Sequence, residues 1–235
     1  MATLAEFRTR VSSKLGLDNT ASSAEQSLVD SWVNEGVVEI LLRTHCTVES
    51  GDMAVTAGTW QYQLDTDILA IRDIWREDSS SDITPVIRVS EQEILDMHRH
   101  SPSGDAADVR YAVAGSNLLL VWPTPSSAYT FELLYVPRPT SMSDGTHDPA
   151  SLTYGRIPTE FHKAIEYYAL WQGAEYDENQ GAQGGERYRA LFEDYLATRV
   201  RPAMKRKGGA ELGQVRRKSW RSRSRSRLMR ENDRY

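Results

Sequence analysis

His45 and Cys46 are the first two residues in the sequence whose types could together support chemistry. A histidine can take the proton of a thiol and so activate it as a nucleophile, provided that the two side chains face each other. Adjacent side chains at the end of a helix point apart, so this pair cannot easily share a proton. A cysteine outside such a pair behaves as a small apolar residue. We therefore expect an inert, partly buried thiol and a surface imidazole.

A second group of candidate ligands consists of Glu93, Asp96, His98 and His100. Imidazole and carboxylate groups bind metal ions, and structural zinc sites take four such ligands in a tetrahedron. Two histidines that are two positions apart diverge on a helix, and no second cluster in the sequence would complete a site. We therefore expect a solvated turn here and no metal ion.

The acidic residues Asp177, Glu178 and Glu186 lack the glycine placement and the ligand spacing of a calcium loop. The sequence also lacks a glycine-rich phosphate loop and the G-x-S-x-G turn of a serine nucleophile. We predict no catalytic residue, no cofactor site and no metal site. The protein is therefore expected not to be an enzyme.

Charge is distributed unevenly along the chain. Residues 199–235 hold 14 lysines and arginines against 3 acids, whereas the first 198 residues hold 14 against 30. The first part, with a net charge of −16, should repel DNA, and the C-terminal part, with +11, should attract it. The single cysteine excludes an intramolecular disulfide. Because no signal peptide or membrane span is recognisable, we expect a soluble protein made inside the cell.

Helices are predicted at both ends of the chain. Thr3 with Glu6 forms a capping box, Gly16 supplies a stop, and the apolar residues between them recur at helical spacing. The same criteria predict further helices, of which the last two should form an antiparallel pair. Pro202 and the glycines after it should end ordered structure. The predicted helices span residues 3–15, 24–43, 158–176 and 185–201.

The middle of the chain, residues 47–138, alternates apolar and polar residues and is predicted to form strands. Residues 115–117 separate two apolar runs and predict a hairpin, and Pro137 should end the last strand. The expected fold is α+β: an antiparallel helical bundle with an inserted β-strand region. Residues 1–204 would form the body, and residues 205–235 a disordered basic arm.

The arm contains the alternating segment "RSRSRSR" at residues 221–227. Three interpretations remain open: docking on a partner protein, binding of nucleic acid through phosphate contacts, or a solvated tail that only aids solubility. Arginine–serine repeats also occur in splicing factors, whose serines accept phosphate, but this repeat is short. Interleaved apolar residues favour docking on a protein.

Several segments together resemble a known family. They are "FELLYVPRPTSM" at residues 131–142, "IPTEFHKAIEYYALWQGAEYDENQ" at 157–180 and "GGERYRALFEDYLATRV" at 184–200. With the two N-terminal helices, they resemble the head-to-tail adaptor, or connector, proteins of tailed bacteriophages. The resemblance covers roughly residues 60–201.

The resemblance implies a structural protein of the phage neck, present in the virion and made in the host cytoplasm. Such adaptors form a homo-oligomeric ring, usually of about twelve copies, between the portal protein and a downstream tail or nozzle protein, and genomic DNA passes through the ring. The C-terminal arm would dock on the portal. Its predicted docking residues are Arg216, Arg217, Lys218, Trp220, Arg221, Arg223, Arg225, Arg227, Leu228, Met229, Arg230 and Tyr235.

Overall fold

The computed structural model describes residues 2–17, 23–77, 83–101, 108–176 and 181–208. Helices occupy both ends of this part of the chain, and strands lie between them, so the predicted α+β class is confirmed. The helices are α1 (Leu4–Leu15), α2 (Ser23–Thr44), α3 (Glu91–His100), α4 (His162–Tyr176), α5 (Gly181–Tyr195) and α6 (Arg201–Gly208). The strands are β1 (Glu49–Val55), β2 (Gln61–Gln63), β3 (Ile68–Glu77), β4 (Ile83–Pro85), β5 (Ile87–Arg88), β6 (Arg110–Ala114), β7 (Leu118–Trp122) and β8 (Tyr129–Pro137).

Helix α1 begins and ends where its capping residues predict. The Thr3 hydroxyl accepts a hydrogen bond from the Glu6 amide, and Gly16 adopts the left-handed conformation with φ of 70°. Between these caps the helix buries one stripe of side chains against α2 and α4. The stripe consists of Leu4, Phe7, Val11 and Leu15.

Helix α4 lies at the centre of the bundle, in contact with α1, α2 and α5. Apart from His162 and Glu166, its buried residues are small or aliphatic, among them Ala164, Ile165, Ala169 and Ala174. Gly173 permits the closest approach, because a Cβ atom there would lie 2.3 Å from a methyl carbon of Leu15. The close approach of α1 to α4 therefore requires the absence of a side chain at position 173.

The strands form two sheets that pack face to face. One sheet has the order β1-β8-β3-β4 and the other β2-β7-β6-β5. Apolar residues from both sheets fill the space between them, including Ile74, Phe131, Leu133, Leu119 and Val121. β6 and β7 form the predicted hairpin, with Gly115 at φ of 59° in its turn. The inward-facing residues of β3, β7 and β8 therefore build a second core between the sheets.

Helix α3 covers the outer face of the second sheet. Ser90 caps it by accepting a hydrogen bond from the Glu93 amide, and Ile94 is fully buried against Ala112 and Leu120. The helix has 10 residues, whereas the sequence predicted a solvated turn here. It shields the sheet face that the helical bundle does not reach.

The loop between β8 and α4 ties the two parts together. Its backbone carbonyls at Gly145 and His147 accept hydrogen bonds from the first amides of α1, which have no partner within the helix. Asn34 of α2 exchanges two hydrogen bonds with the backbone of Met142. Val136, near the end of β8, is buried in the core of the bundle. The β-region is therefore anchored on the bundle at the end of β8.

Three predicted helix boundaries are wrong. Helix α4 begins at His162, after a 3₁₀ turn at Thr159–Phe161, and not at residue 158. Helix α5 begins at Gly181, four residues before the predicted start, and the helical path continues beyond residue 201 to Gly208. Pro202 does not end it, because a wider helical turn precedes the proline. The predicted division into a body and an arm at residue 204 stays a prediction.

Candidate docking surfaces

The predicted docking residues all lie beyond Gly208 and outside the described residues. The structure does show the helix that leads to them. Helix α6 carries the sequence "RPAMKRKG" and packs on the turn that precedes it, with Ala203 and Met204 against the bundle core. The basic segment is therefore attached to the helical bundle and not to the β-region.

Residues Leu196–Val200, between α5 and α6, form a π-helical turn, in which the Arg201 amide donates to the carbonyl of Leu196. The apolar residues here recur every four positions: Tyr188, Phe192, Leu196, Val200 and Met204. In an α-helix each step of four residues advances the side chain by about 40°, so the stripe would rotate away from the core. The wider turn cancels part of this rotation, and Leu196 and Val200 both remain buried.

A buried carboxylate joins α1 to α4. Glu166 is 1% exposed, and its Oε1 accepts hydrogen bonds from Lys14 Nζ at 2.5 Å and Lys163 Nζ at 2.7 Å. Burial alone would raise the pKa of the Glu166 carboxyl, but the two lysines outweigh burial and hold the pKa below its usual value. The group is a fixed anion that fastens two helices.

His162 performs a similar structural role at the start of α4. It is 5% exposed, its Nδ1 lies 3.4 Å from the Ala2 amide nitrogen, and its Nε2 lies 3.3 Å from the Ile157 carbonyl. Both contacts fit a neutral ring that accepts at Nδ1 and donates at Nε2. Burial lowers the pKa of this imidazole, although Asp148 lies 3.9 Å away. The ring pins the chain before α1 to the chain before α4.

A groove of about 520 Å³ lies beside this histidine. Its charged walls include Glu6, Arg10 and Lys163. Arg10 forms an ion pair with Glu6, and Lys163 with Glu166. These charges neutralise one another, so the groove does not show the convergent unpaired groups of a catalytic site.

The candidate thiol pair has the environment of a structural site. Burial raises the pKa of the Cys46 thiol, which keeps it protonated and unreactive. Burial also lowers the pKa of His45, whose backbone adopts a left-handed conformation with φ of 48°. Neither shift prepares a nucleophile and its base.

The sequence predicted a solvated turn at His98, but His98 packs against the β-region. Its ring lies 4.2 Å from that of Trp60, and its Nε2 lies 3.0 Å from the Val121 carbonyl. Among the described residues no group of three or more metal-ligating side chains comes together. Asp177 and Glu178 lie outside those residues, and Glu186 is exposed on α5. In the same part of the chain, no helix has the length and hydropathy needed to cross a membrane.

The two edges of the β-sandwich differ in character. At one edge lies β1, a seven-residue strand paired only with β8 among the described residues. It carries Glu49, which pairs with Arg156 at 3.6 Å, and the exposed Asp52. At the opposite edge the chain passes from β4 to β5, where Ile83 is 47% exposed and Ile87 is 53% exposed. One edge is therefore acidic and the other apolar.

The exposure of these isoleucines is not evident from the sequence, in which residues 83–89 are typical of one ordinary strand. Pro85 was the available signal, because a proline within a strand is typical of an edge strand, whose outer side has no ladder to complete. Val86 is 8% exposed, whereas Ile83, Pro85 and Ile87 are exposed, so Val86 is the apolar residue of this edge that faces the core.

A family model described as "SU10 adaptor protein" matches residues 2–223. The chain belongs to the SU10 adaptor protein family. The predicted resemblance to phage head-to-tail adaptors is thereby confirmed, and the matched region covers both helical ends, the β-sandwich and most of the basic segment. No protein with curated annotation matches this SU10 adaptor.

One matching solved chain comes from a structure titled "Neck of empty GTA particle computed with C6 symmetry". The two chains are 17% identical, and the match covers 79% of this adaptor and 87% of that chain with a TM-score of 0.27. At that TM-score the chains do not superpose as wholes, so the assignment depends on the family model.

Membership of the family identifies the general role of the SU10 adaptor. It is a structural protein of the phage neck, located in the virion, and it associates with portal and tail proteins in an oligomeric assembly. The features of the folded part agree with that role: its buried charged groups fasten helices together, and its distinctive exposed features are edges.

Proposed function

We propose that the protein forms a closed ring beneath the portal, that residues 205–235 dock on the portal, and that the ring extends the DNA channel towards the next tail component. The observation that carries this proposal is the family match over residues 2–223, which includes the helix leading into the basic segment. The protein would be made in the host cytoplasm, and the ring would contain about twelve copies.

Charge supports the DNA channel and the docking of the basic segment. The first 198 residues carry a net charge of −16, and a channel wall of that sign would let DNA slide without binding its phosphates. The last 37 residues carry +11, and their arginines can form paired hydrogen bonds with carboxylates on an acidic protein surface. Trp220, Leu228, Met229 and Tyr235 would supply apolar anchors.

The attachment of the segment also supports docking. Helix α6 continues the path of α5 past Pro202, and its apolar residues Ala203 and Met204 pack on the bundle. The chain therefore leaves the bundle at a defined point, and docking of the residues beyond it would not require the bundle to rearrange.

Portal binding should be measured with the full-length protein and with a variant that ends at Gly208. The truncation keeps every described helix and should fold like the full-length protein, as checked by circular dichroism. We expect the full-length protein to co-sediment with the portal protein of the same phage and the truncation to lose binding. Equal binding of the two proteins would contradict arm docking.

The strong positive charge of the segment also favours a second candidate function, binding of nucleic acid. One variant separates the candidates: Arg221, Arg223, Arg225 and Arg227 changed together to lysine. Phosphate binding depends mainly on charge, so the lysine variant should keep duplex DNA affinity and its salt dependence. Docking on carboxylates depends on the planar guanidinium, so the lysine variant should lose portal affinity. If the lysine variant keeps the DNA affinity of wild type and its dependence on salt, and wild type does not bind the portal, the nucleic-acid-binding function is favoured.

A further inference from the structure

The β-sandwich presents two unlike surfaces at its opposite edges. The apolar edge consists of Ile83, Pro85 and Ile87, on the segment that crosses from β4 to β5, and Arg88 lies next to Ile87. The acidic edge is β1, which contains two carboxylates and no cation. Because β1 and β4 end the same four-stranded sheet, the two edges face away from each other.

The apolar edge has the features of a contact surface. Ile83 and Ile87 rank among the most exposed large apolar side chains of the described residues, and Pro85 between them is also exposed. Natural edge strands usually carry charges that prevent association, and the only charge here is that of Arg88. Backbone hydrogen bonds from Val86 to Ile74 and from Ile87 to Val109 hold the segment in place. The isoleucines are therefore presented on a fixed backbone.

The acidic edge carries a charge opposite to that of Arg88 at the apolar edge. Asp52 is exposed and forms no ion pair among the described residues, and the same is true of Arg88 at the other edge. Two isolated charges of opposite sign on opposite edges cannot meet within one molecule. They can meet between two copies.

Strand direction is consistent with the same contact. In the sheet β1-β8-β3-β4 every neighbouring pair is antiparallel, so β4 runs opposite to β1. If β1 of a second copy lay beside β4, the alternation would continue across the junction. Pro85 has no N–H group to donate, so side chains and not an unbroken ladder would supply most of the contact.

We propose that the apolar edge of one copy packs on the acidic edge of the next copy. Such a contact joins two different surfaces, and its repetition closes a ring when the rotation between neighbouring copies divides a full turn. Ile83 and Ile87 would be covered by the neighbouring β1, and Arg88 would pair with Asp52 of the neighbour. This inference rests on the proposed ring and identifies the surfaces that build it.

The test compares ring formation by four full-length variants mixed with the portal protein, using electron microscopy and sedimentation velocity. Ile87→Glu adds a charge to the apolar edge. Leu152→Glu is the matched control, because Leu152 is 62% exposed and lies in the loop before α4. Arg88→Asp reverses one charge, and Arg88→Asp combined with Asp52→Arg restores an opposite pair. All substituted side chains are exposed, so circular dichroism should show each variant folded.

We expect the wild type and Leu152→Glu to form rings at the same concentration and Ile87→Glu to need at least about tenfold more protein. Arg88→Asp should weaken assembly, and the double variant should recover most of the loss. If the wild type forms rings and Ile87→Glu forms them equally well, the edge contact is refuted while the proposed function stands. If the wild type forms no ring on the portal, the proposed function fails, and this inference fails with it.

Discussion

The buried carboxylate of Glu166 offers the sharpest test of how the bundle is held together. Its side chain is 2% exposed, whereas the side chains of its partners Lys14 and Lys163 are 43% and 39% exposed. Glu166→Gln keeps the shape but removes the negative charge and leaves an amide NH₂ group facing two ammonium groups. We therefore expect the variant to fold and to be less stable.

The magnitude follows from the geometry. A hydrogen bond to a charged group contributes about 1.5–3 kcal/mol, and the two lysines lie at the low end because water screens them. The glutamine oxygen still accepts a weaker bond, so the net loss in the free energy of unfolding should be about 2 kcal/mol at pH 7. For a protein of this length, that loss corresponds to a decrease in Tm of about 4–8 °C.

The pH dependence provides an independent check. Because the pKa of Glu166 is lowered in the folded state, the unfolded chain takes up the proton first as the pH falls. The stabilising effect is therefore complete above the usual glutamate pKa of 4.5 and is lost as the pH falls through the folded pKa. The difference between wild type and Glu166→Gln should be constant at neutral pH and should shrink as the pH falls below about 4.5.

Urea unfolding followed by circular dichroism would measure both effects. Glu6→Gln is the matched control, because Glu6 pairs with Arg10 on the surface, with side chains 48% and 49% exposed. The control should change stability by less than about 0.5 kcal/mol. A Glu166→Gln variant as stable as that control, or a difference independent of pH, would show that the contact is not the anchor that its burial indicates.

Three further predictions concern the same bundle. Burial lowers the pKa of His162, so its contribution to stability should be lost as the pH falls below about 6.5. His162→Gln should therefore flatten the dependence of the free energy of unfolding on pH between pH 7 and 5. The control His100→Gln, at an exposed position, should leave that dependence unchanged. Gly173→Ala should lower the free energy of unfolding by about 1–2 kcal/mol, since a methyl group would lie 2.3 Å from the nearest side-chain carbon and this overlap exceeds the helix-propensity gain; a more stable variant would contradict it. Phe161→Ala should cost about 3–5 kcal/mol, and Tyr195→Ala less than half of that because Tyr195 is only partly buried; thermal melts that rank them the other way would show the packing misjudged.

Local signals predicted much of the fold. The Thr3–Glu6 capping box, Gly16 and the turn at Gly115 each act within a few residues, so the sequence alone locates them. Long-range pairing is different. Nothing near Glu166 or Gly173 indicates that Lys14 and Leu15 approach them, because those contacts form only when α1 docks on α4.

Two errors have the same physical origin. Pro202 predicted a helix end, but the π turn before it keeps the helical path, and that turn depends on the core that Leu196 and Val200 enter. The run from Ile83 looked like one strand, yet it divides at Val86 because the two sheets compete for its hydrogen bonds. In both places tertiary packing overrides a local preference.

The predicted docking residues lie beyond the described part of the chain, so their role stays a prediction. The apolar edge could not be recognised in advance, because exposure depends on which strand lies at the end of a sheet. Strand order is a property of the assembled sheet and not of any single segment.

The π turn holds one residue more than an ordinary helical turn. Removing one residue from Leu196–Val200 would therefore convert it to an α-helical turn, and the helix that follows would keep nearly the same direction. The same deletion within the regular stretch of α5 would rotate all that follows by about 100° about the helix axis. The π turn is thus the place in this helical path where a change of length is absorbed.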